Sequence, residues 1–474
     1  MSFTDIAFYL FFIIVFAVVL LIESNIGRKI FKGNLQTARK TALLIASYIF
    51  YGYWDFRLCF LLLILSLLVF LCAKRIDKGK IYSIIGIVVP LVVLGFFKYF
   101  NFFIESFAQL FNIESTNTLN IILPIGISFY TFQCLSYIID VKRKEITAES
   151  DFINLALYIS FFPHLIAGPI VKAAYFLPQL KENRTITTAS VETGIQIFVF
   201  GLFKKVVLSD NLSVFVDDVF LRTDIYSGLS VAMAVIAYSL QIYFDFSGYS
   251  DMAIGCAKIF GYDFGKNFNL PYVSKNVSEF WKRWHISLSS WLQSYLYIPL
   301  GGNRKGTTRT YLNLIITMVL GGLWHGANWT FVIWGLLHGV ALCINKAFRK
   351  IFHHSKDYKG TVAGNIVSIM ITYIFVCFCW IFFRADSLSQ ASQIIKAIIT
   401  MKDGIDFPYI WTMIAVVIAI ISAVVAFIKS KKIDSFYPVL NLKKIPGLIC
   451  FITFVGITIT FAYTDANPFV YFQF

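Results

Sequence analysis

Two of the six histidines in this 474-residue chain have neighbours that could support acid–base chemistry. His325 lies in Gly-Gly-Leu-Trp-His-Gly-Ala-Asn-Trp (residues 321–329), where small residues on both sides would let a substrate or another backbone approach the ring. A neutral imidazole with a pKa of about 6.5 is a natural general base for a hydroxyl or thiol that attacks a thioester. The pattern alone fits a structural histidine at a helix bend equally well.

The residues around His285 predict an amphipathic helix, either at the inner face of a membrane or packed obliquely into the protein. Its large apolar side chains recur at helical spacing: Phe280, Trp281, Trp284, Leu288, Trp291, Leu292 and Tyr295. An interfacial aromatic anchor is one interpretation. The other is a binding site for an anionic donor such as coenzyme A, because Lys282, Arg283 and the basic segment 301–305 could bind its phosphate groups.

The remaining histidines and two acidic residues give weaker signals. His164 and His338 are expected to be hydrogen-bonded core histidines, and no catalytic role is expected for His353 and His354 in their basic loop. An aromatic segment, Tyr-Phe-Asp-Phe-Ser-Gly-Tyr-Ser-Asp (243–251), contains two carboxylates. Either could orient an imidazole or bind an arginine, and a structural ion pair fits equally well. The supporting candidates are Asp245, Tyr249 and Asp251.

The elements that carry these residues are predicted to be membrane helices. The chain is 58% hydrophobic and 14% charged, and its apolar residues form blocks of about 17 to 25, enough to cross a hydrocarbon core of ~30 Å. The blocks are apolar all round, so helices are predicted and not the alternating strands of a barrel. We expect an all-α polytopic protein with 10 to 13 crossings and a single membrane domain over residues 1–474. The candidate spans are 6–22, 41–54, 58–73, 81–97, 119–139, 152–170, 193–208, 229–246, 311–323, 330–343, 366–383, 411–428 and 448–463.

Two of these blocks contain residues that could break a helix. Pro163 and Pro169 interrupt one, and Gly321 and Gly322 interrupt another, so either block could be broken or re-entrant. The first block lacks a cleavage site and is expected to remain as the first span.

The positive charge is distributed as expected for the loops of a membrane protein. The net charge of +15 lies mostly in short loops between spans, which argues against a nucleic-acid partner. Basic loops at 28–40, 74–80 and 142–144 should be cytoplasmic, so the N-terminus should face outward across a bacterial inner or plasma membrane. The eight cysteines show no paired metal-ligand spacing and are expected to be free thiols, and no metal site is expected.

Long stretches of the chain resemble the membrane-bound O-acyltransferase family. The resemblance rests first on FWKRWHISLSSWLQSYLYIPLGG (280–302) and LGGLWHGANWTFVIWGLLHG (320–339). Shorter segments resemble the bacterial branch that contains the membrane subunit of alginate O-acetylation: PIGISFYTFQ (124–133), FFPHLIAGPIV (161–171), GLFKKVVLSDNL (201–212), FDFSGYSDMAIG (244–255) and NPFVYFQF (467–474). His164 departs from the pattern of that branch.

The resemblance implies a ring of tilted helices around a central tunnel that joins a cytoplasmic donor site to an external funnel. His325 matches the family's catalytic histidine and His285 its second motif histidine. The donor implied is acetyl-CoA, with no covalently bound cofactor, and the acetyl group would pass to an extracytoplasmic SGNH-type transferase or directly to a glycan. Membrane lipid surrounds such a protein. The donor-binding and tunnel candidates are Lys282, Arg283, Trp284, Asn303, Arg304, Trp324 and Asn328.

Two other functions fit part of the sequence. Transfer of D-alanine from a carrier-protein thioester to teichoic acid would use the same two histidines, although the full set of alginate-type motifs argues against it. A transporter of a glycan or lipid-linked precursor would suit polar residues in broken spans, although no inverted repeat is visible. The acceptor stays open among alginate-like exopolysaccharide, acetylated cellulose and peptidoglycan.

Overall fold

A computed structural model describes residues 1–113, 118–119, 121–351, 361–406, 410–429, 440–463 and 469, and it describes the side chains of all of these except 422–429. His353, His354 and all of the closing 467–474 segment except Phe469 lie outside this range, and within the predicted span 411–428 the side chains of residues 422–428 are not described.

The regular elements in these ranges are helices, together with one isolated β-bridge between Tyr226 and Ile405. The α-helices are α1 Ile6–Glu23, α2 Asn25–Phe31, α3 Leu35–Gly52, α4 Phe56–Lys74, α5 Lys80–Leu94, α6 Phe100–Phe111, α7 Ile127–Lys142, α8 Phe152–Ser160, α9 Phe162–Leu165, α10 Ala173–Lys181, α11 Thr188–Phe203, α12 Asp210–Leu221, α13 Gly228–Ile259, α14 Val277–Arg283, α15 Ile286–Leu292, α16 Gly306–His325, α17 Trp329–Ile351, α18 Val362–Arg384, α19 Leu388–Ile399, α20 Ile410–Lys429 and α21 Ile445–Thr460. Short π-helical segments occupy Gly95–Tyr99, Lys204–Ser209 and Gln293–Tyr297, and 3₁₀ turns occupy Ile76–Lys78 and Pro271–Val273.

The chain forms two compact units. The first contains Met1–Phe200 and Tyr249–Gly265, and the second contains Gly201–Gly248 and Lys266–Phe474. Helix α13 contributes residues to both units. The predicted single domain over residues 1–474 stays a prediction.

Six helical segments in the described ranges are long and apolar enough to cross a membrane. They are Ile6–Glu23, Phe56–Lys74, Lys80–Phe111, Gly228–Ile259, Trp329–Ile351 and Val362–Arg384, with shorter apolar helices at Ile410–Ile421 and Ile445–Thr460. The predicted all-α polytopic membrane protein is thereby confirmed. The count of 10 to 13 crossings stays a prediction. Long helices such as α3 and α16 carry charged or polar residues that lower their mean hydropathy, so their apolarity does not decide whether they cross the membrane.

One of the two predicted interruptions is present and the other is not. Helix α8 ends at Ser160, and after the four residues of α9 the chain leaves helical conformation until Ala173. By contrast, α16 continues through Gly321 and Gly322 to His325. A Cβ on Gly322 would lie 2.2 Å from the carbonyl oxygen of Phe331, so this glycine lets the backbones of α16 and α17 touch and does not break the helix.

The single amphipathic helix predicted around His285 is wrong. Helix α14 ends at Arg283, Trp284 is extended, His285 adopts left-handed backbone angles of φ 42° and ψ 56°, and α15 begins at Ile286. The break has a hydrogen-bonding cause. The Ile286 amide donates to the Asn267 carbonyl (2.8 Å), and the Arg283 carbonyl, which a continuous helix would bond to residue 287, accepts from the Asn269 amide (2.9 Å).

The aromatic side chains around this break are buried within the second unit and do not form an interfacial belt. Trp281, Trp284 and Trp291 are all buried. Of the two placements predicted for this segment, packing into the protein is the one observed. All eight cysteines are free thiols.

Candidate active site

His325 occupies the C-terminal end of α16, in an aromatic setting. Its side chain is 4% exposed. The centroid of its ring lies 4.9 Å from that of Trp324, 5.2 Å from that of Trp334 and 5.1 Å from that of Phe383. These three rings exclude water from several sides of the imidazole, and a histidine placed in this way can act as a proton acceptor.

The local sequence explains why the chain turns at His325. Gly326 is extended at φ −157° and ends α16, and the Asn328 side chain then accepts from the Thr330 amide (3.0 Å) at the start of α17. The Asn328 amide group also donates to the carbonyl oxygen of Asp386 (3.0 Å). Asn328, predicted in the donor-binding set, therefore caps a helix and ties it to the end of α18.

His285 lies in the same unit and is fully buried. Its Nδ1 is 3.2 Å from Asn267 Oδ1 and 3.3 Å from Ser287 Oγ. Its Nε2 has no hydrogen-bond partner among the described residues. Burial lowers the pKa of His285 to about 3, so the ring is neutral at physiological pH.

Trp324 connects the two histidines. Its ring centroid lies 4.9 Å from that of His325 and 6.1 Å from that of His285. Phe246 of α13 also contacts His285, with a centroid distance of 4.6 Å and nearly perpendicular rings. The two histidines that the sequence singled out therefore share Trp324 as a neighbour.

Trp284 belongs to the aromatic core beside this pair. Its ring lies 5.0 Å from that of Trp380, which in turn lies 5.9 Å from that of Trp334, a direct neighbour of His325. Trp284 is thus a packing residue of the site's wall, as its complete burial indicates.

The basic and polar candidates have other surroundings. Lys282, Asn303 and Arg304 are exposed, where they are accessible to an anionic ligand. Arg283 forms an ion pair with Glu279 (2.8 Å) and donates to the Asn269 carbonyl (3.2 Å).

The three supporting candidates are divided between the units. Asp245 is buried and forms an ion pair with Lys205 at 2.7 Å, and the same lysine pairs with Asp210 at 2.7 Å. A structural ion pair is therefore observed at Asp245, whose neighbour in the chain, Phe246, contacts His285. Tyr249 and Asp251 are buried in the first unit, where Tyr249 stacks on Phe3 at 4.6 Å.

The other two described histidines are buried and hydrogen-bonded. In the first unit, His164 Nε2 is 2.9 Å from the Tyr158 carbonyl oxygen. In the second unit, the Trp281 indole donates to His338 Nδ1 (3.3 Å), and Trp334 lies 4.9 Å from the His338 ring and 5.2 Å from the His325 ring. Among the described residues no cluster of three or more histidine, cysteine and acidic side chains could hold a metal ion.

Sequence reasoning missed two polar residues at the site, Asn267 and Ser287. Asn267 lies 18 residues before His285, so no helical or strand periodicity connects the two. Composition gave no signal either, since Lys266 and Asn269 are also polar residues of the run Phe-Gly-Lys-Asn-Phe-Asn-Leu-Pro-Tyr (264–272) and nothing distinguishes Asn267 from them.

Comparisons with known proteins relate the sequence of this chain to a family of enzymes. The family model described as MBOAT, membrane-bound O-acyltransferase family, matches residues 127–385, which include His285 and His325. The chain is 43% identical over 375 residues to the probable alginate O-acetylase of Pseudomonas aeruginosa, covering 76% of this chain and 69% of the relative.

Two further relatives differ in their named activities. The peptidoglycan O-acetyltransferase of Helicobacter pylori is 38% identical over 397 residues, covering 77% of this chain and 74% of the relative. The teichoic acid D-alanyltransferase of Bacillus subtilis is 28% identical over 273 residues, covering 55% of this chain and 68% of the relative.

Proposed function

This chain belongs to the membrane-bound O-acyltransferase family and is an O-acyltransferase, and we propose that it moves acetyl groups from cytoplasmic acetyl-CoA to an acceptor on the outer side of the membrane. The observation that carries the proposal is the pair of buried histidines that both contact Trp324. Relatives named for O-acetylation of alginate and of peptidoglycan support acetyl as the acyl group and a glycan hydroxyl as the final acceptor.

A physical argument favours transfer across the bilayer. Coenzyme A carries several phosphate charges and cannot enter a hydrocarbon core, whereas an envelope or secreted glycan lies outside. A catalytic group reachable from both sides removes the need to transport the donor. The positive-inside rule applied to the basic loops gives the orientation in which the N-terminus faces outward.

In this mechanism His325 is the general base. Its neutral ring accepts the proton of the attacking hydroxyl, the oxygen forms a bond to the acetyl carbonyl carbon, and the carbon–sulfur bond of the thioester breaks. The proton passes to the leaving thiolate, which departs as free coenzyme A. No net proton or electron is left over, and a positioned base of this kind typically contributes about 10²–10⁴-fold to the rate.

His285 and the exposed cations are assigned to the donor side. Lys282 and Arg304 are accessible to the phosphate groups of coenzyme A, and Arg283 needs to exchange its Glu279 partner before it can join them. The buried aromatic wall of Trp324, Trp334 and Phe383 excludes water, which protects the thioester from hydrolysis.

The acetyl group has two candidate acceptors on the outer side of the membrane. An extracytoplasmic SGNH-type transferase could receive the acetyl group and pass it to the glycan, or the glycan could accept it directly. The names of the relatives favour an alginate-like exopolysaccharide or peptidoglycan over other glycans.

The decisive test is the substitution of His325, the proposed general base. Bacterial membrane vesicles that contain the wild-type chain or His325→Ala, at equal and correctly inserted amounts, receive radiolabelled acetyl-CoA on the cytoplasmic side. Alkali-labile label is then measured in the purified envelope glycan. We expect His325→Ala to lose at least about 100-fold of the transfer. Wild-type transfer by this variant would overturn the assignment.

D-alanyl transfer is the second candidate, because a D-alanyltransferase is among the relatives. Supplying labelled D-alanyl carrier protein in place of labelled acetyl-CoA separates the two. Label transferred only from the carrier protein would replace acetyl transfer by D-alanyl transfer and leave the role of His325 intact. The transporter alternative is not retained, since the chain is an acyltransferase.

A further inference from the structure

The hydrogen bonds at His285 define which of its two nitrogens carries the proton. The Ser287 backbone amide donates to Asn267 Oδ1 (3.2 Å), and the Ser287 hydroxyl donates to the same atom (2.8 Å). A backbone N–H can only donate, so the Asn267 atom that faces it must be the oxygen. The same oxygen lies 3.2 Å from His285 Nδ1. The Ser287 hydroxyl also lies 3.3 Å from Nδ1, but its proton goes to Asn267 Oδ1 at the shorter distance, so it faces Nδ1 with a lone pair. Nδ1 therefore faces two acceptors and is the donor to them.

A neutral imidazole has one N–H, so a proton on Nδ1 leaves Nε2 with a lone pair. This Nε2 is buried and has no hydrogen-bond partner among the described residues. A buried polar atom without a partner is destabilising, and a substrate group that donates a hydrogen bond would satisfy it.

The backbone at His285 is held by the same residue. Its left-handed φ of 42° is unusual for a residue with a Cβ and strains the backbone. The Asn267 carbonyl accepts from the Ile286 amide (2.8 Å) directly after this strained position. Asn267 therefore fixes the backbone with its main chain and the imidazole with its side chain.

We propose that Asn267 is a positioning residue that holds His285 as the Nδ1–H tautomer and presents Nε2 as a hydrogen-bond acceptor to an N–H or O–H group of a substrate. The assignment of a substrate to Nε2 rests on the proposed acetyl transfer, whereas the tautomer itself rests only on the hydrogen bonds. Asn267 does not touch the reacting atoms and acts through His285.

Two of the charged groups near His285 form ion pairs with other residues. Asp245, which precedes the ring contact Phe246 in sequence, pairs with Lys205, and Arg283 pairs with Glu279. Two further titratable residues are sequence neighbours of residues that contact the ring, since Lys266 precedes Asn267 and His325 follows Trp324. Burial is the cause of the lowered pKa of His285. A carboxylate placed at position 267 would therefore be a new charge in direct contact with the ring.

Three measurements test this proposal on the full-length protein in membranes. The first is the nitrogen-15 spectrum of histidine-labelled protein, with the His285 signal assigned by its loss in His285→Gln. We expect a protonated Nδ1 and an unprotonated Nε2 in the wild type, and a mixture of tautomers in Asn267→Leu. A protonated Nε2 in the wild type overturns the proposal, whether or not the protein transfers acetyl groups.

The second measurement is a pH titration of the His285 nitrogen-15 signals in Asn267→Asp. An aspartate keeps all three hydrogen bonds and stabilises the charged imidazolium, so it raises the pKa of His285. We expect the midpoint of the titration to lie at least one pH unit above that of the wild type, with near wild-type acetyl transfer at pH values above the midpoint. An unmoved midpoint contradicts the contact between residue 267 and the His285 ring.

The third measurement is the rate of acetyl transfer by Asn267→Leu, which we expect to fall at least tenfold at every pH. Unchanged transfer contradicts the proposal. The KM values of acetyl-CoA and of the acceptor then tell which substrate donates to Nε2, since only the affected one should rise.

A matched pair of controls separates these effects from general damage. Asn313 is also a fully buried asparagine of the second unit, and its side chain donates to the Gly302 carbonyl (3.0 Å). Asn313→Asp should leave the midpoint of the His285 titration in place, and Asn313→Leu should leave the His285 tautomer unchanged. If the wild type has the expected His285 tautomer but transfers no acetyl groups, the proposed function is refuted and the tautomer assignment stands.

Discussion

His285 and His338 are both fully buried in the second unit, yet their hydrogen bonds give them opposite properties. The partner of His285 Nδ1 is the oxygen of Asn267, an acceptor, so the proton lies on Nδ1. The partner of His338 Nδ1 is the indole N–H of Trp281, which can only donate, so the proton lies on Nε2.

The comparison shows that burial by itself does not select a catalytic histidine. Both rings are surrounded by aromatic side chains, and Nε2 of each lacks a hydrogen-bond partner among the described residues. At His285 that atom can accept a proton or a hydrogen bond, and at His338 it can only donate one. The difference arises from one neighbour in each case.

The largest expected effect comes from replacing each histidine by asparagine, whose amide resembles the Nδ1 side of the ring. His285→Asn can still bond to Asn267 but lacks Nε2, so acetyl transfer should fall by about 100-fold or more. His338→Asn keeps an acceptor for Trp281, and transfer should stay within about threefold. Initial rates of transfer from labelled acetyl-CoA, normalised to inserted protein, provide the measurement. Equal losses in the two variants would remove the functional distinction between these histidines.

A smaller effect should follow from the ion pair that precedes the Phe246 contact with His285. In Asp245→Asn, the buried Lys205 loses its ion pair with Asp245 and keeps the one with Asp210, so the free energy of unfolding should fall by about 1–3 kcal/mol. Thermal unfolding in detergent measures it.

The control for this variant is Asp217→Asn, which removes an ion pair with Arg384 from a half-exposed carboxylate and should cost less than about 1 kcal/mol. If the two variants lower stability equally, the buried cluster does not contribute more than a surface pair.

The contact between α16 and α17 offers a test of similar size near His325. Gly322→Ala places a Cβ against the Phe331 carbonyl oxygen at 2.2 Å, so the helices must separate, at a cost of about 1–3 kcal/mol. Because His325 and Trp334 lie on opposite helices, acetyl transfer should also fall. Gly456→Ala, which meets no atom within 4 Å, is the control and should change neither property. Wild-type transfer by Gly322→Ala would show that the spacing of α16 and α17 does not matter for His325.

The smallest effect should come from the indole partner of His338. Trp281→Phe removes the donor to Nδ1 and should cost about 1 kcal/mol of stability, with acetyl transfer within about threefold of wild type. The nitrogen-15 spectrum should show that His338 no longer favours the Nε2–H tautomer while His285 is unaffected. A change at His285 instead would show that the two rings are coupled through the aromatic core.

Much of the fold and part of the site could be predicted from the sequence. The length and apolarity of the blocks predicted helices that cross a membrane, because backbone polar groups in lipid must be satisfied within the segment. The motifs around His285 and His325 identified the two rings that Trp324 connects. The continuity of α16 could not be predicted, because a glycine pair that breaks one helix allows close packing in another, and only the facing helix decides between them.

The sequence by itself thus determined that this is an all-helical membrane protein with two candidate histidines, since composition, block length and local motifs are properties of the chain alone. The tertiary structure decided what each histidine can do. The break at His285 and its tautomer depend on hydrogen bonds that Asn267, 18 residues earlier, accepts. The opposite tautomer of His338 depends on the hydrogen bond that Trp281, 57 residues away in sequence, donates. Such bonds exist only after folding brings distant polar groups together in an interior where each must find a partner.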